Sequence, residues 1–466
     1  MIAMKFIQLY CCLSIMAVSS LFISCEKFLD AKPAAKSVIP KKVSDLRAML
    51  DYQGHVNSGT GNVMVEYYSD YVRIDEEDLD RLAVFNRELY TFGQAYETES
   101  IVLGMWTSGY RPIYIANNVL ELLPIVSENQ TEEARRVKGT AHFLRANYMF
   151  HQAKVFSPLY VKGDEQANAK LSIPIRLASD VTAISSRATV AEVYAQMVSD
   201  FETAIQLLPA REQYLTRPDK ASAYACLSRL YLTMQEYDKA GLYADSSLRI
   251  YDTLIDYNEI DRTALTPFPV QHEEVLFFST SNSTDFLNPA DGSYIDPDFV
   301  DLYHDDDLRK ETYFMFDERG RFQFKGNYVG GNYGSVLPDP AVDEMYLTLA
   351  ESHARAGNVE QAMETLNRLL VKRWRQDTFE PLTAGSAEEA LTIVLLERRK
   401  SLVFRGVRTL DQRRLNLEPR FAQAVRRTLG SGDNQQEYIL EPNDPRYVFL
   451  IPLNVIEITG MPQNER

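Results

Sequence analysis

Cysteine is scarce: the chain of 466 residues has four. Cys11 and Cys12 fall inside an apolar leader and Cys25 at its end, which leaves Cys226 alone in the rest of the chain. No intrachain disulfide can form there, so stability has to come from an apolar core. Positive charge is also short. Lys and Arg number 49 against 65 Asp and Glu, a net charge of −16 that becomes −17 if Lys5 leaves with the leader. So acidic a body repels phosphate backbones and lacks a polybasic patch, which argues against nucleic acid as a partner. Catalytic signatures are missing too. There is no G-x-S-x-G elbow, H-E-x-x-H pair, phosphate-cradling glycine motif or C-x-x-C. The six histidines are scattered, and His142 and His151, nine residues apart, do not form an i, i+4 metal pair. A glycoside hydrolase needs two opposed carboxylates; an acidic chain offers many, and none stands out. A protein without catalytic activity is expected.

What is present begins with apolar content, 45% of residues, ample for one large helical domain. Its organising stretch is residues 221–248, two short amphipathic segments around a polar turn at 234–238. Tyr224, Leu227, Ser228, Tyr231, Ala240 and Ala244 stand at the offsets of a tetratricopeptide repeat. In such a pair Leu and Tyr fill the interhelical groove, while Ser and Ala let the axes approach closely. One pair cannot bury its own apolar face, so partners are required. Residues 342–373 supply one, with Tyr346, Leu349, Ala350, His353, Ala362 and Leu366 in equivalent places and Gly357-Asn358 at the turn. A third, split copy uses 137–156 and 190–208, with about 35 residues between its helices, far longer than a normal repeat turn. A weaker fourth unit uses 387–403. Repeats of this kind are scaffolds for binding.

Residues 1–24 read as an export signal: Lys5 is the only charge and the apolar run 6–22 is too short and isolated to anchor a membrane protein. It leads into Leu21-Phe22-Ile23-Ser24-Cys25, which looks like a bacterial lipoprotein cleavage box with Cys25 as the lipidated residue. Phe22 departs from the usual leucine. Stable anchoring takes two or more acyl chains, which such a lipoprotein normally carries. Residues 25–42, rich in Lys and Pro, form an extended tether. A helix follows from Val43 to Tyr52, with Ser44 as N-cap.

From Cys25 to Leu50 the chain resembles the SusD/RagB family of Bacteroidetes outer-membrane nutrient-binding lipoproteins. Further matches are Trp106 with Tyr110, Ile113 and Asn117-Asn118; Leu144-Arg145-Ala146 with Tyr148; and residues 189–194 with Asp200-Phe201-Glu202. Near the C-terminus Glu397, Arg398, Leu402, Gly406, Arg408, Asp411 and Arg414 follow the family pattern, while Ser401, Arg405 and Gln412 depart from it. The resemblance implies a mainly α fold, with about four tetratricopeptide-like helix pairs forming a right-handed cradle for an irregular, loop-rich half. It implies a single domain over 43–466, its N-terminal part at about 43–210 and its RagB/SusD part at about 270–466. It further implies a lid on a SusC-like TonB-dependent transporter, anchored to the outer membrane and capturing oligosaccharides or, on the same scaffold, peptides. A repeat-based assembly lipoprotein with no small ligand is the alternative of another class.

Sugars bind by stacking on exposed rings, with carboxylate, amide and guanidinium groups taking the hydroxyls. Trp106 and Trp374 fit core positions better than ligand platforms. Tyrosines in the two irregular stretches, 54–100 and 252–340, are the candidates: Tyr67, Tyr68, Tyr71 and Tyr294, with Asn327, Tyr328, Asn332 and Tyr333 in a glycine-rich loop. Glycine would let that loop bend and expose its rings, and asparagine both donates and accepts. No cofactor is expected. Six aspartates and His304 within 296–307 invite calcium, but an EF-hand-type loop starting at Asp296 puts Asp301 where glycine is required. Glu397, Arg398, Arg408 and Asp411 read as an ion-paired brace. If the cleavage box is correct, Cys25→Ala moves the protein from the membrane to the soluble fraction in a fractionation blot; retention in the membrane would refute it.

Overall fold

In the computed structural model of the chain, residues 40–61, 64–93, 100–281, 292–331, 336–430 and 435–466 are described. The leader, Cys25, most of the tether, Asn332 and Tyr333 lie outside them. The fold is mainly α. Its longer helices are α1 (Val43–Leu50), α2 (Ser100–Leu122), α3 (Glu132–Phe156), α4 (Val190–Leu207), α5 (Lys220–Thr233), α6 (Tyr237–Leu248), α7 (Val342–Arg355), α8 (Val359–Leu370), α9 (Ala387–Ser401), α10 (Arg408–Leu415) and α11 (Leu453–Thr459). None among the described residues is long and apolar enough to cross a membrane.

Helices α2 to α9 stack in sequence, each against the next, with α9 also against α7. Small residues set the spacing. A Cβ at Gly241 on α6 would lie 2.2 Å from the Ser352 hydroxyl of α7, so glycine is what allows those backbones to meet. Ala240 and Ala244 are fully buried, and Ser228 donates to the Ala240 carbonyl at 2.7 Å across the α5–α6 pair. The split pair is real: α3 packs on α4, and Gly139 brings α3 against Leu207 and Leu208.

Both compact repeats turn in the same way. Asn358 N–H donates to the His353 carbonyl and Gly357 N–H to Ala354, the paired bonds of a Schellman motif, with Gly357 at φ 82°. In the other repeat Glu236 N–H donates to Tyr231 and Gln235 N–H to Leu232, with Gln235 in the left-handed region at φ 55°. Its amide offsets the strain by binding the Tyr160 carbonyl and the Lys162 N–H, each at 3.0 Å. Helix α1 begins at Val43 as the sequence suggests and ends at Leu50, two residues short of Tyr52, but its N-cap lies two residues before Ser44. Its N-cap is Lys42, whose N–H donates to Asp45 at 3.1 Å, and Ser44 is exposed within the first turn.

The irregular half is knitted by short strands: β1 (Ser58–Gly61), β2 (Val72–Ile74), β3 (Thr280–Ser281), β4 (Ser293–Ile295), β5 (Phe314–Phe316), β6 (Phe322–Phe324), β7 (Val425–Leu429) and β8 (Gln436–Leu440). β1 pairs with β3 in parallel and β2 with β4 antiparallel, so the two irregular stretches bind each other. β5–β6 and β7–β8 are hairpins.

A lattice of buried ion pairs ties this half to the helices. Glu344 on α7 receives Arg229 of α5 at 2.5 Å and Arg398 of α9 at 3.4 Å. Arg398 also holds Asp411 of α10 at 2.8 Å, and Arg414 clamps Glu351 with two bonds of 2.6 and 2.7 Å. Arg408 reaches Asp70 in the first irregular stretch, and Arg309 in the second reaches Glu397. The expected brace is therefore present and wider than the sequence indicated. Burial acts to raise the pKa of Glu344 and Glu351, but their arginines outweigh it and hold both at about 2, below the ordinary 4.5. Removing one partner from such a pair strands a buried charge, costing roughly 3–5 kcal/mol. Glu351→Gln should therefore lower the urea midpoint by that amount of stability; a change near zero would contradict the lattice. Because these carboxylates titrate lower in the folded state, stability is complete above about pH 4.5 and is lost as pH falls toward 2, measurable by acid titration of the circular dichroism signal.

Candidate ligand-binding site

The β2–β4 ribbon forms the floor of a cleft of about 450 Å³. Strand pairing sets Arg73 directly opposite Tyr294. Arg73 lies within β2 and Asp75 directly follows it, and the two are joined by different partners. Arg73 grips Asp296 at 2.8–2.9 Å. The Tyr294 hydroxyl donates to Asp75 at 3.1 Å, and the Arg321 guanidinium lies 4.9 Å from the centre of its ring. Arg321 also binds Asp75 at 3.1 Å and Asp317 at 3.0 Å. The far wall comes from Tyr90 and from Thr428, Leu429 and Gly430 at the end of β7. Tyr90 accepts the Ile74 N–H at 3.0 Å, and its ring is covered by Arg427 at 4.1 Å.

The electrostatics suit recognition of hydroxyls. Burial, and then Asp75, push the Tyr294 hydroxyl up to about 12, so it remains a donor across physiological pH. Partial burial works against the charge of Arg73, yet Asp296 holds its pKa above the ordinary value. Asp75 and Asp296 are each engaged by an arginine, and Glu76 and Asp298 stand exposed at the rim. The cleft offers a ring face, carboxylates and guanidinium groups, the set that binds a polyol.

The structure separates the candidate residues sharply. Tyr294 is half-buried and lines the cleft. For the other described tyrosines the expectation of exposure is corrected. Tyr67, Tyr68 and Tyr71 are at most 2% exposed, and Tyr328 is 3% exposed. Tyr68 packs against Phe92, Tyr447 and Phe449; Tyr71 packs against Phe299 and Phe404 and donates to the Arg399 carbonyl at 3.0 Å. Tyr328 donates to Glu274 at 2.5 Å beneath Arg405, with its ring against Phe268 and His272. Asn327 is buried and caps its own turn, accepting the Val329 N–H at 3.0 Å. The physical reason is that a half with little helix must fill its core from loops, and tyrosine supplies a large ring with a polar tip that can be satisfied inside. The nearby glycines serve contact, not exposure. A Cβ at Gly326 would lie 2.4 Å from the Tyr313 ring, and one at Gly330 (φ 72°) would lie 2.6 Å from the Phe268 carbonyl.

Trp106 is buried beside Tyr110 and Phe156, and Trp374 is half-buried with His304 stacked on it. Four of the six aspartates of 296–307 serve as counter-ions: Asp296 for Arg73, Asp305 for Lys310, Asp306 for Arg375, and Asp307 for Arg309 and Lys400. Sequence reasoning missed Arg73, Tyr90, Arg321 and the β7 edge. It also missed Phe316, 67% exposed and in ring contact with Phe322 across the β5–β6 hairpin.

A family model described as "Starch-binding associating with outer membrane" matches residues 27–232. Over that stretch the chain is similar to the SusD-like family. SusD-like protein P2 of Formosa agariphila is 25% identical over 144 residues, which is 31% of this chain and 26% of that one. The match thus spans about a quarter of that relative's length. A SusD superfamily protein from Bacteroides thetaiotaomicron superposes with a TM-score of 0.72 at 23% identity, over 91% of this chain and all of the other. A SusD-like carbohydrate binding protein from Bacteroides vulgatus gives 0.68 at 22% identity, over 90% of this chain and 97% of its own. At these identities the structures establish the SusD-like fold. Burial makes a direct prediction. Tyr328→Ala should cost about 3–5 kcal/mol of stability, and Tyr294→Ala under about 1 kcal/mol, read from urea unfolding; equal costs would contradict the placement of the two rings.

Proposed function

We propose that this SusD-like chain is a cell-surface capture protein that binds oligosaccharides without cleaving them. The β2–β4 cleft is its contact with sugar, and the ring of Tyr294 is the observation that carries the reading. A half-exposed aromatic face held rigid by Asp75 and Arg321 costs little entropy on binding. Carboxylates already bonded to arginine orient toward hydroxyls without being poised for proton transfer. The starch-binding description of the matching family model and the name of the carbohydrate binding protein from Bacteroides vulgatus support carbohydrate as the ligand class. Lipid on Cys25 would hold the protein at the outer membrane, and a SusC-like TonB-dependent transporter would receive the cargo.

Isothermal titration against a panel of neutral oligosaccharides tests this. Tyr294→Ala should weaken binding at least tenfold, about 1.4 kcal/mol, with folding retained and no product released on prolonged incubation. The wild-type affinity should be flat from pH 6 to 9, since the hydroxyl titrates at about 12. Unchanged affinity in the variant would remove the cleft from the site. Binding of peptides in place of sugars would move the ligand class, and cleavage of the bound sugar would end the non-catalytic reading. Co-purification of an outer-membrane barrel tests the transporter.

A further inference from the structure

Ten arginines are buried among the described residues, and eight of them pair with a carboxylate. Arg427 and Arg413 do not. Arg427 is sandwiched by the rings of Tyr90 and Phe92, at 4.1 and 4.5 Å, which offsets part of its desolvation. Arg413 on α10 has no such cover. Its guanidinium donates to the carbonyls of Lys154 at 3.2 Å and Ser157 at 2.9 Å, which satisfies hydrogen bonds and leaves the charge unbalanced. Burial lowers its pKa from the ordinary arginine value, and it acts on Arg187 in the same direction, taking that group to about 10. Arg187 too contacts neutral oxygens alone: the carbonyls of Leu171, Ser172 and Pro462 and the amide of Asn464, at 2.5–3.0 Å.

Both guanidinium groups line one cleft of about 770 Å³ between residues 158–171 and the C-terminal segment 443–465. The exposed Lys170 stands on the same lining and forms no ion pair among the described residues. Of the two carboxylates there, Asp444 is held by Arg446 through bonds of 2.6 and 3.0 Å, and exposed Glu465 pairs with neither arginine. A protein of net charge −16 thus presents a concave site whose free charge is positive. Buried charge without a counter-ion is costly, and a bound anion relieves it. Arg413 spends two of its five donors on these carbonyls. Pro158 and Leu159 add apolar faces, while Asn443 and Gln463 add amides, a lining suited to the two sides of a pyranose.

We propose that this cleft is a second ligand site, separate from the Tyr294 cleft, that takes the carboxylate or sulfate of an acidic oligosaccharide. Its sugar class rests on the reading under Proposed function; its preference for an anion does not. Trigalacturonate, its uncharged methyl ester and a sulfated carrageenan disaccharide, titrated at low and at physiological salt, separate the two. Wild type should bind at least one acidic probe at least tenfold more tightly than the methyl ester, with affinity falling as salt rises. Arg187→Gln and the surface change Lys170→Glu should each weaken that binding tenfold or more, while neutral oligosaccharides bind as before. Lys170→Glu keeps the test open should Arg187→Gln fail to fold. Which probe responds tells carboxylate from sulfate. Neutral sugars bound with no acidic preference, or acidic binding untouched by both variants, overturn the second site and leave the first reading standing. Failure of every oligosaccharide overturns both, and acidic peptides bound here in place of sugars overturn the ligand class.

Discussion

Buried arginine–carboxylate contact is what the architecture rests on. Helix pairs alone would give a stack with a polar outer face, and the loop-rich half alone would have too little regular structure to hold itself. Glu344, Glu351 and Asp411 receive arginines from α5, α9 and α10, and the same network reaches Asp70, Asp307 and Pro338 in the irregular segments. Ion pairs of this kind do not by themselves stabilise a fold over an apolar alternative. They fix geometry, because a guanidinium with two carboxylates accepts few arrangements. The β2–β4 floor is joined to the arginines of this frame through Asp70, two residues before β2, which receives Arg408 and Arg399.

Tyrosine does two different jobs on this frame. Tyr68, Tyr71 and Tyr328 act as core residues whose hydroxyl end can be tied to a backbone or a buried acid. Tyr294 alone of the described candidates leaves part of its ring to solvent, since one edge of it is already held by Asp75 and its face by Arg321. The difference is set by partners distant in sequence. That is why the helix pairs were legible in the chain and the site was not. Residues 221–248 and 342–373 carry a local period, with alanine and serine at the close contacts and a recognisable turn. Even the split pair, α3 with α4, could be read across its long connection. The brace at Glu397–Arg414 could be read as well, because alternating charge inside an apolar stretch has few other uses.

Exposure of a ring has no such local signature. Glycine beside Tyr328 suggested freedom, whereas Gly326 and Gly330 are there because Tyr313 and the Phe268 carbonyl leave no room for a side chain. Four of the six aspartates of 296–307 looked like part of a possible ion site and proved to be counter-ions, some for near neighbours such as Lys310 and Arg309 and others for Arg73, Arg375 and Lys400 far along the chain. In an acidic protein whose core is full of arginine, the informative residues are those arginines that lack a carboxylate, and no sequence pattern marks them.

The central claim is that the ion-pair lattice makes the helix stack and the irregular half one cooperative unit. Native-state hydrogen exchange under increasing urea tests it most directly. Amides of α5, α7 and the β2–β4 ribbon should lose protection with the same free energy and the same urea dependence. A ribbon that opens at lower urea, while the helices stay protected, would contradict the account.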